Sequence, residues 1–282
     1  MVSGTPWRVS EPFVIFALPR SRTKWLSAFL AYGDWQCAHD QLRHCRSLDD
    51  VRSWLAQPCT GTVETAAAPH WRLLRRLAPE TRVVIVRRDP ADVFASLRRM
   101  PYEMDWAYIA RELQRQDVAL DEVADRWPQA LSIAYADLAH EETCARLFQH
   151  CLPYRHDHEW WASLAQQNLQ ADVDGVVRDV AANTALVARL KRQWRPYVIR
   201  LEEIEGTTFA HCDVAQWSPR IARQIRADFD AIMRLHGGPI YGTTNAPQGG
   251  DWDKFRKFLL LMGLTFHTTV PGSGKVVYAR WR

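Results

Sequence analysis

The stretch TRVVIVRRD (81–89) does most to limit what this chain can fold into. Val83 to Val86 are four consecutive β-type residues with no polar alternation. A strand with one wet face alternates; a strand of a parallel sheet covered on both faces does not. The segment PADVFASLRRM (90–100) then reads as a helix, with Asp89 at its N-cap and Pro90 at its first position. The same handover stands nearer the N-terminus. PFVIFAL (12–18) reads as a buried strand bounded by Pro19, and KWLSAFLAYG (24–33) as a helix stopped by Gly33. Between these pairs, SLDDVRSWLAQ (47–57) reads as a helix with Ser47 as its N-cap and Asp50 three residues on, in a capping-box-like arrangement. GTVET (61–65) reads as a short strand and PHWRLLRRLAP (69–79) as a helix. Helical periodicity over 103–127, a strand at ALSIAYADL (130–138) and helices to about residue 170 continue the series. Strands alternating with helices at this spacing predict an α/β fold: a parallel sheet between two helical layers.

The character changes after about residue 172. The segment 176–196 reads as a polar helix ending at Pro196. YVIRLEEIEGTTFAHCDV (197–214) reads as a hairpin with Gly206 near its turn. SPRIARQIRADFDAIMRLHGG (218–238) is a helix with Ser218 as cap and Gly237 as stop. PIYGTT is a strand, DWDKFRKFLLLMG a helix, and TFHTTV with KVVYARWR a closing hairpin. The expected organisation is therefore a first domain over residues 1–172, a connecting helix over 173–196, and a smaller α+β domain over 197–282. A length of 282 residues accommodates this.

A net charge of +4 is too weakly basic for a protein that coats nucleic acid, and no nucleic-acid partner is expected. No apolar run reaches the roughly 18–20 residues needed to cross a bilayer, so no membrane partner is expected either. The six cysteines (37, 45, 59, 144, 151, 212) contain no CxxC pair, and no signal peptide precedes them. They read as reduced thiols in a cytoplasm. His150, Cys151, His156 and His158 crowd HCLPYRHDH, but their spacing fits no zinc pattern, and no metal is expected.

ALPRSRTKWLS (17–27) joins the first strand to the first helix. It places Arg20, Arg22 and Lys24 within five residues, where like charges repel. Lys24 is one of only five lysines in the chain. Backbone N–H groups at a helix start, three cations, and the hydroxyls of Ser21 and Thr23 together suit an anion such as a phosphate; a solvated basic turn uses the same residues. A nucleoside-triphosphate loop, GxxxxGK[ST], is disfavoured on chemistry. Lys24 is followed by Trp25, so the magnesium-binding hydroxyl is missing along with both glycines.

PRSRTKWL (19–26) resembles the 5′-phosphosulfate loop of sulfotransferases, P-[KR]-S-G-T-[TKS]-x-L, with Arg22 where that family has Gly. VVIVRRDPADVFASL (83–97) resembles the same family's 3′-phosphate motif, with Arg88 and Ser96 on its two phosphate-binding positions. IAYADL (133–138) resembles its Y-E-D-L strand, whose tyrosine approaches the adenine; here that is Tyr135. The likeness covers about residues 12–165. It implies a P-loop sulfotransferase-like fold and 3′-phosphoadenosine 5′-phosphosulfate (PAPS) as donor. It also implies that Arg20, Ser21, Arg22, Thr23, Lys24, Trp25, Arg88, Ser96 and Tyr135 hold that nucleotide. The bland alternatives are a strand-end Arg88 paired with Asp92, a Ser96 hydroxyl bonded to the preceding turn, and Tyr135 as a core residue.

Sulfuryl transfer to a hydroxyl or amine needs a base, and cations on the bridging oxygen of the leaving group. Arg20 and Lys24 are the candidate cations. Glu64 is the candidate base, resembling the glutamate some sulfotransferases carry in an E-K-[ST] motif, although Thr65 follows it here. His70 is the alternative base, and a strand-end Glu64 that caps the next helix is the structural one. His39 is read as structural. The C-terminal domain resembles the second half of GNAT-type acetyltransferases in KFRKFLLLMGLTF (254–266), but lacks the glycines of the acetyl-coenzyme A loop before its long helix. Three readings follow: a PAPS-dependent sulfotransferase with an unidentified acceptor, a phosphate-binding or assembly protein without turnover, or an acyltransferase activity in the C-terminal domain.

Overall fold

A computed structural model describes residues 11–45, 47–100, 104–169, 196–244, 252–271 and 275–281. The chain divides into two compact units. The first runs through Val93 and resumes at Gln114; the second takes Phe94–Leu113 together with the described residues from Pro196 onward. The connecting helix expected over 173–196 lies almost wholly outside the described residues.

The first unit is an α/β layer structure on five parallel strands: β1 (Phe13–Ala17), β2 (Gln36–His39), β3 (Thr60–Glu64), β4 (Arg82–Arg87) and β5 (Leu131–Ala134). Their order in the sheet is β2-β3-β1-β4-β5, so β1 lies at the centre between β3 and β4. The helices are α1 (Thr23–Phe29), α2 (Leu48–Leu55), α3 (Trp71–Leu77), α4 (Pro90–Arg98), α5 (Trp106–Arg126), α6 (Glu141–Cys151) and α7 (His158–Ala165); the division between units cuts α4 and α5. All five residues of β1 are buried, which is why its sequence lacks alternation. Phe13, Ile15 and Ala17 pack on one face with Trp25, Leu26 and Phe29 of α1, Leu147 and Phe148 of α6, and Leu164 of α7. Val14 and Phe16 point to the other face and are equally buried. Gly61 in β3 stands beside Phe13, where a Cβ would lie 2.1 Å from the ring. Its absence lets Phe13 stack on Trp35, with centroids 5.7 Å apart.

Local rules hold at some helix starts. Ser47 and Asp50 exchange both bonds of the capping box on α2. The Asp89 carboxylate accepts from the Ala91 N–H at 2.7 Å as α4 begins. Three expectations are corrected. β2 was not foreseen, because QCAH is short, polar and at the sheet edge. The strand expected over 130–138 ends at Ala134, and Tyr135–Ala139 form a 3-10 turn. The physical reason is the partner: β5 pairs only with β4, which ends at Arg87 opposite Ala134, so the ladder has nothing further to bond. Helix α1 stops at Phe29, and Gly33 takes its left-handed turn (φ 63°) four residues later.

The second unit carries a mixed sheet: β6 (Tyr197–Ile204), β7 (Thr207–Val214), β8 (Ile240–Thr244), β9 (Thr265–Thr269) and β10 (Val276–Arg280), in the order β6-β7-β8-β10-β9. β6 and β7 form the expected hairpin, through a two-residue turn in which Glu205 and Gly206 both have positive φ. α8 (Pro219–His236) starts on the Ser218 cap and ends at Gly237, φ 75°. It buries Ile225, Phe229 and Ile232, and α9 (Trp252–Leu261) adds Leu259. β7 and β8 run parallel and meet at one register, Phe209 opposite Tyr241. Asp228 of α8, 2% exposed, receives hydrogen bonds from the Tyr197 hydroxyl and the Arg111 guanidinium. No helix among the described residues is long and apolar enough to cross a membrane.

Candidate functional site

Strand order places the site before any side chain does. From β1 the chain moves to β2 and β3 on one side and then crosses to β4 on the other. Where the order reverses, the connections diverge and leave a crevice beyond the carboxyl ends of the strands. The loop of residues 18–22 leaves β1 at that point. Glu64 ends β3 level with Phe16, and Arg88 follows β4, whose Val86 pairs with Ala17. The three stretches singled out in the sequence therefore converge through the sheet.

Within the loop, Arg20 (φ 64°) and Arg22 (φ 56°) both adopt left-handed backbone. For a residue with a Cβ this costs about 1–2 kcal/mol. Arg22 thus holds a conformation that favours glycine, the residue its position has in the resembled loop. Its guanidinium donates to the Leu138 carbonyl at 3.1 Å and lies 5.8 Å over the Trp25 ring. Arg88 donates to the carbonyl of Arg20, tying the end of β4 to the loop, and its guanidinium stacks 4.3 Å above the Tyr135 ring. Two donors here have no partner among the described residues: the hydroxyl of Ser21, which is 0% exposed, and Nε of Arg88. Buried donors are normally satisfied. Two left open at one loop suit a ligand rich in acceptor oxygens.

The other candidates differ in exposure and in what their side chains meet. Lys24 is exposed beside this loop. The Trp25 side chain belongs to the core: its indole N–H donates to the Leu164 carbonyl at 2.9 Å and its ring stacks on Phe29 at 4.9 Å. Only the Trp25 backbone N–H is left for a loop ligand. Ser96 is buried on α4, beyond the division between units, and is described with the second unit. Tyr135 stands on the 3-10 turn rather than in a strand.

Glu64 is 3% exposed. Its Oε1 accepts from the Leu42 N–H at 2.9 Å and the Thr62 hydroxyl at 2.7 Å. Burial pushes its pKa up to about 7; the two hydrogen bonds and Arg43 pull the other way, and the nearby Asp40 charge adds to the rise. A carboxyl that titrates near neutrality is matched to proton transfer. His70, the alternative, is exposed on the 3-10 turn Ala68–His70.

Two residues beside the loop carry no functional role in the sequence reading. His39 ends β2 with Nε2 2.9 Å from the Thr23 hydroxyl and Nδ1 3.3 Å from the Asp40 carboxylate. Asp40 in turn accepts from the backbone N–H and hydroxyl of Thr65, at 2.8 and 2.9 Å. The available signal was the dipeptide His39–Asp40 itself, but without β2 nothing placed it beside the loop. No group of three or more histidine, cysteine or acidic residues suited to a metal ion occurs among the described residues. His156 and His158 both meet Glu141, and His150 meets the Val83 carbonyl.

No family model and no curated protein matches the sequence. Solved structures do. The chain is similar to mouse sulfotransferase SULT7A1 complexed with PAP, at 12% identity over 55% of this chain and a TM-score of 0.42. It spans 63% of that protein's length. It is also similar to a sulfotransferase from Alicyclobacillus acidocaldarius (12% identity, 64% of this chain, 95% of that one, TM-score 0.39). A third likeness is to the sulfotransferase domain from the curacin biosynthetic pathway (12% identity, 59% of this chain, 80% of that one, TM-score 0.36). At these identities and scores none bears on the chemistry of the site, which rests on the residues above.

Proposed function

We propose that the first unit is a sulfotransferase-like module that binds PAPS at the loop after β1 and transfers its sulfuryl group to a hydroxyl or amine. The observation that carries this reading is the convergence, at the reversal point of the sheet, of a cation-rich loop with unpartnered buried donors and a carboxyl whose pKa is near 7. Ser21 Oγ, the loop N–H groups and Lys24 are suited to the 5′-phosphosulfate. Arg88 is suited to the 3′-phosphate, with Tyr135 beneath it toward the base. The assignment of Ser96 rests on the sequence resemblance alone.

The donor supplies an activated sulfur–oxygen bond. Ionised Glu64 takes the acceptor's proton as the acceptor oxygen or nitrogen bonds to sulfur. The bond from sulfur to the bridging oxygen breaks, and the charge left on that oxygen falls to Arg20 and Lys24. Release of 3′,5′-adenosine bisphosphate from PAPS, followed across a panel of phenols, sugars and amines, tests the reading. Acceptor-dependent release that is lost in Glu64→Gln supports it. Bisphosphate binding without release for any acceptor favours the reading of a binder without turnover, for which the strained Arg22 is the structural argument.

A further inference from the structure

We propose that His39 is a positioning residue that switches the Thr23 hydroxyl between accepting from and donating to the loop, and so couples anion binding at residues 19–24 to uptake of one proton. This rests on the anion-binding part of the function proposed above and adds a regulation to it.

The argument begins with hydrogen counting. The Nδ1 of His39 faces the Asp40 carboxylate at 3.3 Å, and its Nε2 faces Thr23 Oγ1 at 2.9 Å. In neutral imidazole one nitrogen carries the hydrogen. The Asp40 charge favours that hydrogen on Nδ1, leaving Nε2 as an acceptor. Thr23 must then point its only hydrogen at His39, and presents a lone pair, not a donor, to the loop. An anion beside Thr23 is repelled by that lone pair. When His39 takes a second proton, Nε2–H donates to Thr23 Oγ1, and the Thr23 hydrogen turns free to meet an anion. One proton enters and one donor is gained at the loop.

The surroundings make this poise adjustable. Lys24 on α1 and Arg43 on the 3-10 turn after β2 oppose protonation of His39, as does its burial; Asp40 favours it, and Glu64 faces Asp40 from the end of β3. Burial comes first among these and holds His39 below the usual imidazole range, so it is neutral near pH 7. An anion set against Lys24 removes part of the opposing charge and draws the proton in. Binding and protonation therefore strengthen each other, by equal factors.

Inorganic sulfate is the probe for the test, because it does not titrate between pH 5 and 8. Its affinity for the full chain is measured by calorimetry across that range, in two buffers of different ionisation enthalpy, for wild type, His39→Gln, Thr23→Val and Glu64→Gln. The expected result is severalfold tighter binding to wild type as pH falls, with net proton uptake. Both are expected to be lost in His39→Gln and Thr23→Val and kept in Glu64→Gln. Thermal melts show which variants are folded, and the two substitutions on opposite sides of the bond keep the test informative if one of them is not. Sulfate binding to wild type with no pH dependence and no proton uptake overturns the coupling and leaves the anion site standing. Uptake lost only in Glu64→Gln assigns the proton to Glu64 and overturns it as well. No binding of sulfate or of 3′,5′-adenosine bisphosphate at any pH removes the anion site and the coupling together.

Discussion

Single residues decide the chemistry proposed for this site, and Glu64 decides most of it. An unfolded glutamate titrates near 4.3, whereas burial raises Glu64 to about 7. Between those values the folded chain holds a proton that the unfolded chain does not. Stability contributed by this group is therefore full at the acid end, falls as pH rises from about 4, and reaches its low plateau above about 7. Glu64→Gln keeps an oxygen for Leu42 and Thr62, so its melting temperature at pH 8 is expected to equal or exceed that of wild type. Transfer depends on the ionised form. Its kcat at saturating donor is expected to rise through pH 7 to a plateau, and to drop by about 10²–10⁴ in Glu64→Gln with bisphosphate affinity unchanged. A flat pH profile would remove Glu64 from the base role. Arg22 offers a second test. Arg22→Gly relieves left-handed strain of about 1–2 kcal/mol and loses the bond to Leu138, worth a similar amount. Near-wild-type melting with retained bisphosphate binding is expected. Loss of binding in a folded Arg22→Gly protein would show that the guanidinium, not the backbone, serves the loop.

At the scale of elements, packing and buried pairs set the costs. Gly61→Ala drives a methyl into the fully buried ring of Phe13. Overpacking of this kind costs about 1–3 kcal/mol, which lowers the melting temperature by several degrees; an unchanged melt would mean that β1 and β3 separate readily. In the second unit, Asp228→Ala leaves the Tyr197 hydroxyl and the Arg111 guanidinium without their shared acceptor. Arg111 is partly exposed, so the expected loss is about 2–3 kcal/mol rather than the larger figure for a fully buried pair, read from denaturant unfolding. Elements whose identity rests on their own residues were legible in the sequence: the unalternated β1 and β4, and the capped starts of α2, α4 and α8. Elements whose limits rest on a partner were not. β2 exists because β3 offers an edge, and β5 stops where β4 does.

For the whole molecule, local sequence carried the positions of the loop, Glu64 and Arg88, because each ends or follows a strand of a parallel sheet and such ends meet. It did not carry the joining of His39 to Thr23, which needs the order of strands. Nor did it carry the pairing of Arg98 with Glu203 or of Arg111 with Asp228, since those partners lie 105 and 117 positions away. A modest positive charge and a cationic loop give one further expectation. Affinity for a multiply charged nucleotide should fall as salt rises. The central claim is that the crevice at the reversal of the first sheet holds an adenosine nucleotide phosphorylated on both its 3′ and 5′ positions. The most direct measurement is titration of the full chain with 3′,5′-adenosine bisphosphate, beside Arg88→Ala and with adenosine 5′-monophosphate as comparison. Micromolar binding, weakened at least tenfold in Arg88→Ala and for the monophosphate, is the expected result. Folded wild-type protein that binds neither nucleotide, or binds both equally with Arg88 dispensable, would contradict it.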